Sequence, residues 1–397
     1  MSIRAWQISK MREVGVLLSS LLDEPERFMH HIRRFTAALI MEITYGYTVT
    51  SADDKYVALI TEAMNGVTES GSTGATLVDF FPVLKYIPSW LPGAGFKRNA
   101  LAVRRLVEAA CDGPYEWTKR QVESGTAKPS ILSYLIEESM QKGTLPRDKI
   151  DIRGVGGAVF GAGTDTVCII VPRPSAYANS LTHCFKTSSV LLTFFLAMTL
   201  HPHVLPKAQE EIDRVVGSNR LPEFTDRETL PYVECVVNEL YRWNTVAPLG
   251  IPHCVTEHDE YLGYHIPKGT MVVPNIWSMS QNERIYPDPQ RFCPERFVGM
   301  SEKDMEVADP RNYVFGFGRR ICPGRQFADT SIWIVVACMI ATLNIRKARD
   351  SSGKEITPSA YFVSGITRHP NPFMCIIEPR SEKARALIIQ YKAAFDG

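Results

Sequence analysis

The sequence carries almost no net charge. Its 44 lysines and arginines stand against 43 aspartates and glutamates, leaving +1, and no basic stripe marks a nucleic-acid surface. It also has no long hydrophobic run: the longest apolar stretches, near 190–200 and 332–343, fall short of the roughly 20 residues that cross a bilayer as a helix. No internal repeat or low-complexity tract is present, which sets aside solenoids and disordered linkers. The 9 histidines offer no zinc site, since His30-His31 and His201-Pro-His203 lack cysteine or carboxylate companions at ligand spacing. The 9 cysteines are scattered behind no secretory leader, a pattern that suits a reducing compartment and free thiols. With 45% hydrophobic residues over 397 positions, the chain is expected to bury one large domain spanning 1–397.

What the chain does have is one unusual cysteine. Phe315-Gly-Phe-Gly318-Arg-Arg320-Ile-Cys322-Pro-Gly324 is a glycine-rich, arginine-bearing loop that runs straight into an apolar segment, Gln326 to Leu343. Glycines 316, 318 and 324 can take positive φ without penalty, so the backbone is expected to fold tightly around Cys322 and turn amide groups toward the sulfur. The positive end of the following helix further favours a thiolate. Arg320 is placed to meet an acidic substituent of a cofactor. Phe315 and Phe317 are placed to cover the sulfur's side of a flat ring and keep water away.

The pattern Phe315-x-x-Gly318-x-Arg320-x-Cys322-x-Gly324 resembles the heme-ligand signature of the heme-thiolate monooxygenases, the cytochrome P-450 superfamily. Two further motifs follow that family's order. Glu239-Leu-Tyr-Arg242 sets a carboxylate and a guanidinium on one face of an expected helix, and Pro294-Glu-Arg296-Phe supplies a second arginine. Isolated, the first pair would be a surface ion pair of little consequence; the resemblance implies a buried Glu239–Arg242–Arg296 network behind the heme that fixes geometry more than it adds stability. Ala162-Gly163-Thr164-Asp165-Thr166 is similar to the oxygen-activating stretch of the family's long central helix. There the acid and the alcohol would relay protons to bound O2. Without the resemblance, Asp-Thr after glycine is a common turn or cap.

The resemblance implies more. Cys322 would be the axial ligand of the iron of heme b, donating electron density that favours O–O cleavage. Phe315, Gly318, Arg320 and Gly324 would complete the cofactor loop, with His253 against a heme propionate. Val246, Ala247, Pro248 and Leu249, with Val363, Ser364 and Gly365, would wall an apolar substrate pocket. Electrons would come from NADPH through a reductase partner, and the intact family is held on the cytosolic face of the endoplasmic reticulum membrane. The overall likeness is to the fungal, O-methylsterigmatocystin oxidoreductase-like branch. The implied fold is mainly α with a small β portion, the cytochrome P-450 fold, with the heme between the central helix and the Cys322 helix.

Helical periodicity over 8–47, 101–123 and 131–141, and strand-like pieces at 261–267, 271–274 and 373–377, agree with that class. Between 80 and 98, an apolar stretch carries three prolines and two glycines that preclude one continuous helix. It reads either as a loop packed on the core or, by resemblance, as a channel roof that dips into the membrane interface through Trp90, Lys97 and Arg98.

Two departures from the family stand out. The chain is expected to begin beyond the anchor, the strand-rich first region and the helix whose tryptophan and arginine grip the heme propionates, so the fold is expected to be incomplete at the amino terminus. Secondly, Val167–Lys186, with Pro172 and Pro174, interrupts the central helix before Thr187 resumes it. Val167-Cys168 can be encoded by GTATGT, similar to a fungal donor site, and Leu181-Thr182 by a CTAAC-type branch sequence. A retained intron or a genuine surface insertion both account for it; a message lacking codons 167–186 would decide for the intron. Two functional alternatives accompany the monooxygenase reading: an inactive fragment or relic, and a heme-thiolate isomerase or dehydratase that needs no reductase.

Overall fold

The computed structural model describes residues 3–51, 54–71, 77–165, 189–363 and 367–396. Thr166, the stretch 167–186, Ser364 and Gly365 lie outside them. By internal packing the chain divides into two compact units, 1–188 with 377–397 and 189–376.

The first unit is helical. The periodicity over 8–47 resolves into two helices, Ile3–Asp23 and Phe28–Tyr45, parted where Pro25 opens a short 3-10 turn. Proline is tolerated there because the first turn of a helix leaves its N–H groups unpaired. Phe28–Tyr45 ends on Gly46 at φ +70, and a Cβ there would come within 2.8 Å of the Lys128 carbonyl oxygen, so both conformation and space require glycine. The helices Gly95–Glu123, Ile131–Gln141 and Leu145–Asp165 follow. Ile131–Gln141 is entered through a reciprocal cap in which Ser130 and Ser133 each accept the other's backbone N–H.

The second unit holds the Cys322 motif. Its core is made by Ser189–Leu200, Pro231–Trp243 and Arg325–Thr342. Nearly every position from 331 to 342 on the last helix is buried, which explains a sequence that is apolar all round rather than on one stripe. Four small antiparallel pairings complete the unit: His253–Cys254 with Met271–Val272, Asp259–Tyr261 with Tyr264–Ile266, Leu343–Arg349 with Glu355–Ile356, and Phe362–Val363 with His369–Pro370. The piece expected as one strand over 261–267 is a hairpin that reverses at Leu262 and Gly263, φ +52 and +81. Its Tyr261 and Tyr264 face each other across the turn. The longest strand of the unit, Leu343–Arg349, was not anticipated, because it continues an apolar helix without a break signal. Among the described residues no single helix is long and apolar enough to cross a membrane.

One buried group gives the fold a pH response. His369 is 3% exposed, and neither ring nitrogen has a partner among the described residues. Burial pushes its imidazole down from 6.5 to about 4. The unfolded chain takes the proton first, so this stability is whole above pH 6.5 and is lost as pH falls from there toward 4. Urea unfolding is expected to show His369→Leu losing less stability than the parent between pH 7.5 and pH 5, by about 2 kcal/mol. Parallel pH slopes for the two proteins would remove His369 from the account.

Candidate functional site

The loop around Cys322 is bounded by two helices, Arg311–Val314 before it and Arg325–Thr342 after it. Phe315 leaves the first, and its carbonyl oxygen accepts the Cys322 N–H at 2.8 Å, closing the loop on itself. Between these two residues Gly316 and Gly318 take φ +79 and +56, as expected. Gly324 does not: its φ is −87, and a Cβ there would stand 3.9 Å from Cys322 Sγ, an ordinary contact. Neither the backbone angle nor the space among the described residues requires glycine at 324.

Two of the loop amides serve carbonyl groups, Cys322 N–H going to Phe315 at 2.8 Å and Ile321 N–H to Gly318 at 3.2 Å. The start of the long helix beyond the loop also favours an anion at Cys322.

The Glu239–Arg242–Arg296 network forms in full. Both carboxylate oxygens of Glu239 accept from Arg242, Nε and Nη2 each at 2.7 Å. Arg296 Nε donates to the same two oxygens at 3.1 Å. Glu239 and Arg242 are fully buried and Arg296 nearly so. The motif alone did not disclose the rest of the set. Arg242 Nη1 donates to the Ser280 carbonyl at 3.0 Å, Arg296 Nη1 to that of Pro287 at 2.9 Å and Arg296 Nη2 to that of Arg291 at 3.1 Å. The Cys293 N–H reaches Glu239 Oε1 at 2.8 Å. These partners are main-chain atoms of an irregular segment, so no side-chain pattern announces them.

The remaining predicted residues are placed less fully. His253 lies on the ribbon strand paired with Met271–Val272 and is exposed. Asp165 is the last residue of the Leu145–Asp165 helix, and Thr166 lies outside the described residues. Of the expected pocket wall, the Val246 carbonyl accepts the Arg368 N–H at 2.7 Å and the Pro248 carbonyl the Trp277 N–H at 2.8 Å. Those bonds fix the backbone course of 246–248 and leave Leu249 exposed.

The loop residues fit a flat cofactor bound through iron. Cβ atoms added at Gly316 and Gly318 would meet nothing within 4 Å, so that surface of the loop is open. Phe317 is 44% exposed there, and Arg320 makes no ion pair with any described residue. A half-buried free thiol is the one soft donor in this loop, and no cluster of three metal-binding side chains occurs among the described residues. A single sulfur ligand, an apolar ring and a spare cation match an axial position, a ring face and an acidic substituent.

Comparison with known proteins gives the same direction. The family model described as Cytochrome P450 matches residues 186–377. The chain is 48% identical over 379 residues to cytochrome P450 monooxygenase 136 of Postia placenta, covering 95% of this chain and 68% of that one. It is 45% identical over 378 residues to monooxygenase 176 of the same fungus, covering 95% and 69%. Against cytochrome P450 monooxygenase claT of Ampulloclitocybe clavipes it is 39% identical over 395 residues, covering 99% and 75%. Aligned over nearly its whole length with fungal enzymes of one kind, and carrying the cysteine loop and the buried Glu-Arg-Arg network in one unit, the chain belongs to the cytochrome P450 family of monooxygenases.

Proposed function

We propose that this chain inserts one atom of O2 into an apolar organic substrate, with heme b held through Cys322 and electrons drawn from NADPH through a reductase. The observation that carries the reading is the Cys322 loop: a half-buried thiol behind an open glycine face, an exposed phenylalanine and an arginine with no ion pair among the described residues. When bound, the heme supplies the activation of O2 and the transfer of oxygen.

The protein's own residues have definite tasks. Cys322 gives the iron a sulfur donor, and Phe315 and Phe317 exclude water from it. Arg320 offsets the charge of a propionate, with His253 as a second partner. Asp165 takes up a proton at its carboxylate and Thr166 passes it on at its hydroxyl. Val246, Ala247, Pro248, Leu249 and Val363 present apolar surface to the substrate, which favours a hydrophobic one.

A membrane surface is part of the proposal. Phe80, Phe81, Val83, Tyr86 and Trp90 are all exposed, Trp90 by 77%. Lys97 Nζ donates to the carbonyls of Lys85 and Ile87, and Arg98 Nη1 to that of Ser89, so the two cations hold the loop in shape while its apolar side chains project. This supports contact with a membrane surface, which the family resemblance places at the cytosolic face of the endoplasmic reticulum. Trp90→Ala with Leu91→Ala is expected to weaken liposome sedimentation of the chain; unchanged sedimentation would count against the loop.

The central test is the spectrum of the heme-loaded, reduced chain under carbon monoxide, followed by NADPH consumption with a reductase. A thiolate-type Soret band with reductase-dependent consumption is expected. A chain that takes up no heme overturns the reading in favour of a relic, and a thiolate band with product formed in the absence of reductase favours an isomerase or dehydratase.

A further inference from the structure

We propose that Tyr241 and Asp329 are positioning residues for the Cys322 loop, joining it to a second charge network distinct from Glu239–Arg242–Arg296. The inference deepens the reading of Cys322 as the iron ligand and rests on it for its functional meaning.

The network links the two helices that bracket the loop to two elements behind it, the 3-10 turn Phe224–Thr229 and the helix Pro231–Trp243. Asp329 lies on the helix that leaves it, seven positions beyond Cys322, and Arg311 opens the short helix that enters it. Arg227 Nη1 pairs with Asp329 Oδ2 at 2.7 Å, and its Nε and Nη2 both hold Glu234 at 3.0 Å. Arg311 Nη1 donates to Glu234 Oε1 at 2.5 Å and stands 3.6 Å from Asp329 Oδ1. Entry and exit are thus tied to the same pair of carboxylates, one of which, Glu234, sits on the helix of the first network.

Tyr241 carries this tie to the sulfur. It lies between Glu239 and Arg242 in sequence, and it is 4% exposed. Its hydroxyl donates to Asp329 Oδ1 at 3.3 Å, and its ring meets that of Phe315 edge-on, centroids 5.6 Å apart at 69°. Phe315 in turn accepts the Cys322 N–H. Carboxylate, phenol, aromatic edge, carbonyl and cysteine amide form a continuous run of contacts. A buried phenol stays protonated as the donor this run needs. Buried ion pairs contribute little net stability but fix geometry, and the atom at the end of this run is the one whose position matters most.

The test uses the full chain in two states. Before heme loading, the rate of iodoacetamide labelling at Cys322 is read by mass spectrometry relative to exposed Cys254, for the parent, Tyr241→Phe, Asp329→Asn and the double variant. Each single change is expected to raise the relative rate about tenfold, the equivalent of one hydrogen bond to a charged group. The double variant is expected to match the singles, because both break one run of contacts. Asp329→Glu should return the rate toward the parent's.

After loading, the same variants should convert the thiolate-type carbon monoxide band to its thiol-type form faster in mild urea. Unchanged labelling in both singles, or a double variant whose effect is the product of the two, would overturn the proposal. Tyr241→Phe preserves the ring and the fold, so the question is answered even if Asp329→Asn does not fold. Failure of the ligand reading shows separately, as a parent chain with no thiolate band despite altered labelling in the variants.

Discussion

Cys322→Ser is expected to leave a folded chain with no thiolate-type carbon monoxide band and no detectable turnover. The change is nearly isosteric. It keeps the 2.8 Å bond from the residue 322 amide to Phe315, and the side chain it alters is only half-buried, so circular dichroism and urea midpoint should move little. The chemistry changes completely: a serine hydroxyl does not ionise near neutral pH and offers iron a hard oxygen in place of a polarisable sulfur. Survival of band and turnover together would end the heme-thiolate account of this chain, whatever the family resemblance.

The second large effect is expected at Glu239→Gln, and it is one of stability. Arg242 and Glu239 are fully buried and Arg296 is 7% exposed. Removing the only carboxylate leaves two guanidinium groups out of water with an amide between them. Breaking a buried pair in this way costs about 3–5 kcal/mol, a large share of the 5–15 kcal/mol that holds a typical domain together. The amide also puts an NH2 where one acceptor oxygen stood, so a donor faces a donor. Urea denaturation should register the loss. Glu239→Gln with Arg242→Met should cost less than the sum of the separate changes, because the partner charge leaves with the first. A shift below about 1 kcal/mol for Glu239→Gln would mean that water reaches the network and screens it.

The fold class and the chemistry-bearing loop were legible because each rests on local sequence. A cysteine among glycines at fixed spacing is a backbone instruction, and apolar positions on 331–342 are a burial instruction. The two glycines at φ +79 and +56 follow directly. The hairpin at Leu262 and Gly263 was missed because its strands are three residues long, too short for a two-residue period to declare itself. Gly324 was expected at positive φ and lies at −87, because the following helix begins there and sets its backbone. Tyr241 was invisible for another reason. Within Glu239-Leu-Tyr-Arg242 it reads as filler between two charged residues, and only the fold brings Asp329 and Phe315 to it. Long-range partners of a local motif carry no periodicity of their own.

The carbonyl ties of Arg242 and Arg296 have an evolutionary consequence. Ser280, Pro287, Asp288 and Arg291 are held by their backbone oxygens, whatever side chains they bear. For these bonds the length of the stretch matters more than its side chains, since a single added or missing residue would shift the carbonyls out of register with the two arginines; buried Tyr286 and Asp288 at φ +50 are the positions where identity is constrained as well. Related sequences should keep the spacing of this segment more strictly than the identities at Ser280, Pro287 and Arg291.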